Sequence, residues 1–182
     1  YLWNDNKTPF DPSDDKTRVY YTTDWIDKDG KHISADFIYD VQEDKNGTLW
    51  AATDAGPILF QNPHKILSEN DYRCTRIKIN RNDDSGLADY LLDGETIYAV
   101  EIDYGNRKWL GTANSGLYLV SEDGTETLAH FTKENSPLSS NSISDLELDP
   151  KTGELFIVTP EGLFSYKTFS TAPVKEASKE TI

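Results

Sequence analysis

Residues 38–56, 97–116 and 143–162 can be laid on one another, and this threefold repetition limits the possible folds more than any single residue does. Each copy has an alternating apolar run that ends in Asp, a turn containing Gly, an aromatic ring, a Thr three residues further on, and a closing Gly. The first copy begins 59 residues before the second and the second begins 46 before the third. A loose period of that size belongs to solenoids and propellers.

Each part of the repeat has a physical task. In the leading runs, Tyr39 and Val41, then Tyr98, Val100 and Ile102, then Leu146 and Leu148 stand two residues apart, the period of a strand and not of a helix. Asp44, Asp103 and Asp149 follow, where a carboxylate accepts hydrogen bonds from turn backbone, and Gly47, Gly105 and Gly153 supply a positive φ. Trp50, Trp109 and Phe156 open the second strand and are expected between packed sheets, while Ala52 and Gly111 let a neighbouring sheet come close. Gly56, Gly116 and Gly162 precede a third strand at 58–60, 117–120 and 163–166. A fourth, outer strand fits 74–80 and 128–132. The reading is all-β, a β-propeller fragment of about three four-stranded antiparallel blades. A β-sandwich or a β-helix is the alternative, and a sandwich has no need of the recurring order of Asp, turn, aromatic, Thr and Gly.

The blades divide the chain. Residues 1–37 hold the outer strands of a preceding blade, 38–80 one blade, 81–142 a second with its lead-in loop, and 143–167 a last, partial blade. Residues 168–182, poor in large apolar side chains, read as a linker to a further domain outside this sequence. An open set of blades exposes flat faces and sheet edges, which invites self-association.

The residues that carry these features also resemble a known repeat. Asn141-Ser142-Ile143 through Asp149, Gly153 and Gly162-Leu163, and Lys108-Trp109-Leu110-Gly111-Thr112 with Gly116-Leu117, resemble the two-component regulator propeller repeat. Residues 1–10, 94–97 with 106–109, and 130–138 are similar to the later blades of PorZ-type propellers, components of the type IX secretion system of outer-membrane bacteria. The resemblance covers about residues 1–167. It implies a propeller in the periplasm or at the cell surface, supporting secretion and attachment of cargo, with surface lipopolysaccharide, oligosaccharide or secretion-system proteins as partners. Pro57 after Gly56, Phe156 in place of Trp, and Ile157-Val158 in place of the Gly position depart from the repeat.

Composition narrows the function. A net charge of −14 opposes any grip on a phosphate backbone, so nucleic acid is not expected as a partner. No run of eighteen apolar residues offers a membrane-spanning helix. Cys74, alone, can form no internal disulfide. Nucleophile-elbow, zinc-protease and phosphate-loop motifs are missing, and His32, His64 and His130 share no repeat position. No catalytic residue, cofactor or metal site is therefore assigned. Asp27 to Gly30 is similar to part of a calcium loop, but Trp25 stands at its first ligand position, and residues 80–85 place Ser85 where Gly is needed; both read as hairpin tips.

The expectation is a non-enzymatic recognition module of an exported propeller. Its binding residues are sought on the face shared by the loops between second and third strands and by the connections to the next blade: Asp54, Asp89, Tyr90, Asn114, Ser115, Asn141 and Glu161. Thirty-two acidic and 21 aromatic residues suit carbohydrate, since rings stack on sugars and carboxylates accept from hydroxyls. The alternatives are the periplasmic oligosaccharide-sensing propeller of a hybrid two-component regulator, and a glycan hydrolase or lyase.

Overall fold

The computed structural model describes residues 2–81 and 87–167, so the expected linker 168–182 and most of the 80–85 hairpin tip lie outside the described residues. Among the described residues regular structure is all strand apart from three short 3₁₀ turns. β1 (Leu2–Asn4) pairs with β2 (Lys16–Arg18), and β3 (Ile38–Glu43), β4 (Thr48–Thr53) and β5 (Gly56–Gln61) form the first blade. β6 (Lys78–Asn80) and β7 (Ala88–Tyr90) make a separate hairpin. The middle blade is β8 (Ile97–Ile102), β9 (Lys108–Thr112), β10 (Leu117–Val120) and β11 (Thr127–Phe131). The last blade is β12 (Asp145–Leu148), β13 (Glu154–Thr159) and β14 (Gly162–Lys167). Every pairing within a blade is antiparallel between sequence neighbours, and the inner strands β3, β8 and β12 lie side by side.

Two seams join the three blades, and each is built around the aromatic ring of the repeat. Trp50 packs with Ala52, Leu59 and Ile77 against Ile97, Val100, Leu110 and Val120 of the middle blade. Trp109 packs with Ala99, Leu117 and Leu119 against Ile143, Leu146, Leu148, Leu155 and Ile157 of the last. Both rings are essentially inaccessible, at 1% and 0% exposure. The close approach expected at Gly111 is present: a Cβ there would stand 2.7 Å from Ile143 Cγ2. On its other side the first blade buries Ala51, Ile58 and Phe60 beneath Trp25, Ile33 and Ala35. Trp25 and Ile33 face each other across a hairpin closed by Ile33 N–H to Trp25 O at 3.0 Å, with Ala35 just beyond it, and that hairpin is tied to the first blade by Cys74 N–H to Ile26 O at 3.1 Å. Cys74 is fully buried, and burial pushes its thiol up to about 11, which makes it a core side chain and not a reactive one.

Three expectations are corrected. Phe156 is half-exposed: it lies across from Glu147 and Ser165, on the face of β13 opposite to Leu155 and Ile157, and among the described residues no sheet covers that face. The positive φ of the middle hairpin falls on Asn106 (60°) and not on Gly105, because Asn106, like Gly47, is the third residue after its aspartate and closes the same turn, whereas Gly105 is the second. The outer strand expected over 74–80 splits. Thr75 bonds Leu59 in both directions, and the chain then leaves as β6 to pair with β7.

The glycine after the second strand has a reason beyond turn formation. At Gly56 (φ +88°) and Gly116 (φ +85°) an added Cβ would meet Leu92 O at 2.7 Å and Phe131 O at 2.2 Å, so the connections between blades pass where a side chain would stand.

Candidate functional site

Each blade has a turn end, where first and second strands meet, and a loop end, where second and third strands meet and the chain passes to the next blade. The turn end is held by its aspartates. Asp44 accepts from the N–H groups of Asn46 and Thr48 at 2.9 and 3.0 Å, Asp103 from Gly105 and Arg107 at 2.8 and 3.0 Å, and Asp149 from Lys151 at 2.8 Å. Asp44 does more: its Oδ2 also accepts from Trp50 Nε1 at 3.1 Å and meets Lys108 Nζ at 3.1 Å. Lys108 is fully buried and also donates to Asn106 O and Glu122 O at 2.7 and 2.6 Å. Burial lowers the affinity of Lys108 for its proton, with Asp44 pulling the other way. For Asp44, burial raises the carboxyl, but the Thr48 N–H, Lys108, Trp50 and Asn46 N–H outweigh it and hold it below the usual carboxylate range. Beside this staple lies an open cleft of about 610 Å3 between Asn46, Thr48 and Gln61 of the first blade and the 121–126 hairpin of the middle one.

The loop end is different. Asp54 accepts from Asp36 N–H at 3.0 Å and from Phe37 N–H at 3.2 Å, fixing the backbone that leads into β3. That backbone presents Phe37, 59% exposed, stacked on Tyr39 with centroids 6.0 Å apart. Tyr39, 43% exposed, meets the edge of Tyr98 at 4.9 Å. Tyr39 and Tyr98 occupy the same repeat position at the starts of β3 and β8, so two adjacent blades place rings side by side. Partial burial raises the Tyr39 hydroxyl, and Tyr98 and the Asp54 carboxylate add to it.

The other residues singled out from sequence divide between scaffold and surface. Ser115 N–H donates to Thr112 Oγ1 at 2.8 Å, and its carbonyl meets His130 Nε2 at 2.5 Å. Asn141 accepts from Lys133 N–H at 2.8 Å and donates to Glu134 at 3.3 Å, pinning the connection between the middle and last blades. Asn114 and Glu161 are exposed loop residues. Asp89 and Tyr90 lie elsewhere, on the β6–β7 hairpin: Asp89 pairs with Arg81, and Tyr90 lies under the Arg76 guanidinium at 3.6 Å from ring centroid. Arg76 also pairs with Asp27 at 3.0 Å. The Asp27 carboxylate further accepts from the N–H groups of Asp29 and Lys31 at 2.9 Å, a hairpin tip as the sequence indicates. The loop end thus brings together Asp54 with Phe37, Tyr39 and Tyr98, three rings that sequence reasoning did not select. Among the described residues no cluster of three or more His, Cys, Asp or Glu side chains is placed to hold a metal ion.

Comparison with known proteins agrees with this architecture. Residues 32–55 match the two component regulator propeller family. The chain is a stretch of β-propeller carrying that repeat. It is similar to PorZ, described as an essential bacterial surface component of the type-IX secretion system of Porphyromonas gingivalis: 34% identity over 93% of this chain, TM-score 0.84. The chain spans about a fifth of PorZ, 22% of its length. The extracellular domain of a hybrid two-component system from B. thetaiotaomicron matches at 22% identity over 72% of this chain and 16% of its own, TM-score 0.52. The corresponding domain of a one-component system from the same organism matches at 16% identity over 71% and 17%, TM-score 0.54. These two establish likeness of fold. A search of curated proteins returns no match.

Proposed function

We propose that this chain is part of a non-enzymatic recognition propeller of an exported bacterial protein related to type IX secretion, and that it binds a surface glycan or a partner protein through its loop end. The observation that carries the reading is the exposed pair Phe37 and Tyr39, backed by the half-buried Tyr98 and set beside Asp54, on a scaffold whose turn end spends its aspartates on its own backbone. Rings held by a rigid sheet offer large contact area with little entropy to lose, and exposed apolar groups gathered in one place mark interaction surfaces. Similarity to a bacterial surface component supports a place at the cell surface or in the periplasm.

The test is binding of the purified protein to a panel of bacterial lipopolysaccharides, neutral oligosaccharides and isolated secretion-system proteins, with analysis of the glycans afterwards. Retention without cleavage, weakened at least about tenfold by Tyr39→Ala combined with Tyr98→Ala, is the expected result; that loss corresponds to about 1.4 kcal/mol. Cleavage of a glycan, or binding that the double variant leaves untouched, overturns the reading.

A further inference from the structure

The loop ends of the first and middle blades carry carboxylates and no cation of their own. Residues 33–40, 52–57, 92–98 and 111–118 contain Asp36, Asp40, Asp54, Asp93 and Glu95 and not one Lys or Arg. Asp93 pairs with Arg76 at 3.3 Å, whereas Asp36, Asp40, Asp54 and Glu95 form no ion pair among the described residues. Asp54 accepts from the Asp36 and Phe37 N–H groups and Asp40 from those of Val41 and Val100, while the exposed Asp36 carboxylate has no hydrogen-bond partner among the described residues. The rings that follow Asp36 also lack a cation. Tyr20, Trp50, Tyr90 and Tyr104 each have a Lys or Arg of this chain over the ring, but among the described residues Phe37, Tyr39 and Tyr98 have none. Phe37 and Tyr39 lie 29° from parallel, whereas Tyr39 and Tyr98 stand at 82° with centroids 4.9 Å apart, so the rings make a corner and not one flat platform. A sugar stacks on a single flat face; a cation gains from two ring faces at once.

We propose, on the reading of the loop end as the binding face, that the corner of Phe37, Tyr39 and Tyr98, flanked by Asp36 and Asp54, receives an arginine side chain from an exposed basic segment of a partner protein. The chain builds the completed arrangement once with a cation of its own. Beside the β6–β7 hairpin, Arg76 lies 3.6 Å from the Tyr90 ring centroid and pairs with Asp27 at 3.0 Å and Asp93 at 3.3 Å. A planar guanidinium stacks on the ring and reaches both carboxylates, which a neutral group cannot match. Charge decides against an anionic ligand at the loop end: an incoming phosphate or carboxylate meets Asp36, Asp40, Asp54 and Glu95 with no cation from the same stretches to offset them.

The test titrates the purified protein into a fluorescent Gly/Ser peptide carrying two arginines, and into the same peptide with citrulline, a neutral isostere, in their place. Saturable binding of the arginine peptide is expected, weakened at least about fivefold by citrulline or by Tyr39→Ala with Tyr98→Ala, as two exposed cation–π contacts require. Tyr39→Phe with Tyr98→Phe keeps the ring faces and is expected to bind as wild type, and Asp36→Asn to bind roughly two- to threefold more weakly. Arginine-peptide binding that the alanine variant leaves unchanged is attraction to the net charge of −14 alone and overturns the assignment. Capture of a neutral oligosaccharide or a lipopolysaccharide through the same two rings, without capture of the arginine peptide, overturns it while leaving the loop end as the binding face. If none of these probes is sensitive to the rings, both readings fall. Should the alanine variant fail to fold, the citrulline and Asp36→Asn comparisons decide.

Discussion

The two ends of the blades use the same residue types to opposite effect. At the turn end, Asp44 accepts two backbone hydrogen bonds, an indole N–H and a buried ammonium, and thereby fastens the first blade to the middle one. At the loop end, Asp54 holds a short stretch of backbone and leaves Phe37 and Tyr39 standing in solvent. A carboxylate whose lone pairs face its own scaffold rigidifies, whereas one that pins a loop presents what the loop carries. The turn end thus fastens the blades, and the loop end is where we propose that a partner is met.

The comparison breaks most visibly at Asp44. Asp44→Ala leaves the buried Lys108 ammonium without its carboxylate and removes the acceptor of two turn N–H groups, so chemical denaturation is expected to show a loss of about 3–5 kcal/mol. Adding Lys108→Met is expected to recover a large part of it. The Asp44 carboxyl is held below its unfolded value of 3.8, so the contribution is complete above that pH and disappears as acid takes the folded carboxyl through its lowered value. Acid unfolding of Asp44→Asn should accordingly lose this component.

The two seams offer a smaller contrast. Gly111→Ala pushes a methyl against Ile143, and overpacking of about 1–3 kcal/mol is expected from equilibrium unfolding. Trp50 donates to Asp44, but Trp109 Nε1 is buried without an acceptor among the described residues, since Arg107 occupies Asp103 Oδ2 at 2.7 Å. Trp50→Phe should therefore cost about 1 kcal/mol more than Trp109→Phe, the size of one net hydrogen bond. Smallest of all, Tyr39→Ala should change stability by under about 1 kcal/mol, as exposed positions do.

What the sequence made legible was whatever depends on the chain's own neighbours. Alternation in β8 and β13, the Asp-led turns and the glycines before third strands are local, and a repeat shows each of them three times. What it hid depends on who stands opposite. Lys108 occupies a place held by Leu49 and Leu155 in the other copies, a break in pattern that could have flagged a buried charge, but nothing local names Asp44 as its partner. Phe156 shares a repeat position with two buried tryptophans, yet a ring is buried only where another sheet covers it. Tyr39 and Tyr98 read as ordinary strand positions. Their meeting at 4.9 Å follows from the side-by-side placement of β3 and β8, which no single copy of the repeat contains.

Binding measured side by side for a loop-end and a turn-end variant tests this division most directly. With lipopolysaccharides, neutral oligosaccharides and secretion-system proteins each offered, the account predicts that Tyr39→Ala with Tyr98→Ala weakens capture at least about tenfold. Gln61→Ala with Glu126→Ala, in the turn-end cleft, is predicted to leave capture unchanged. Loss of capture through the cleft, with the loop-end variant binding as before, would contradict it.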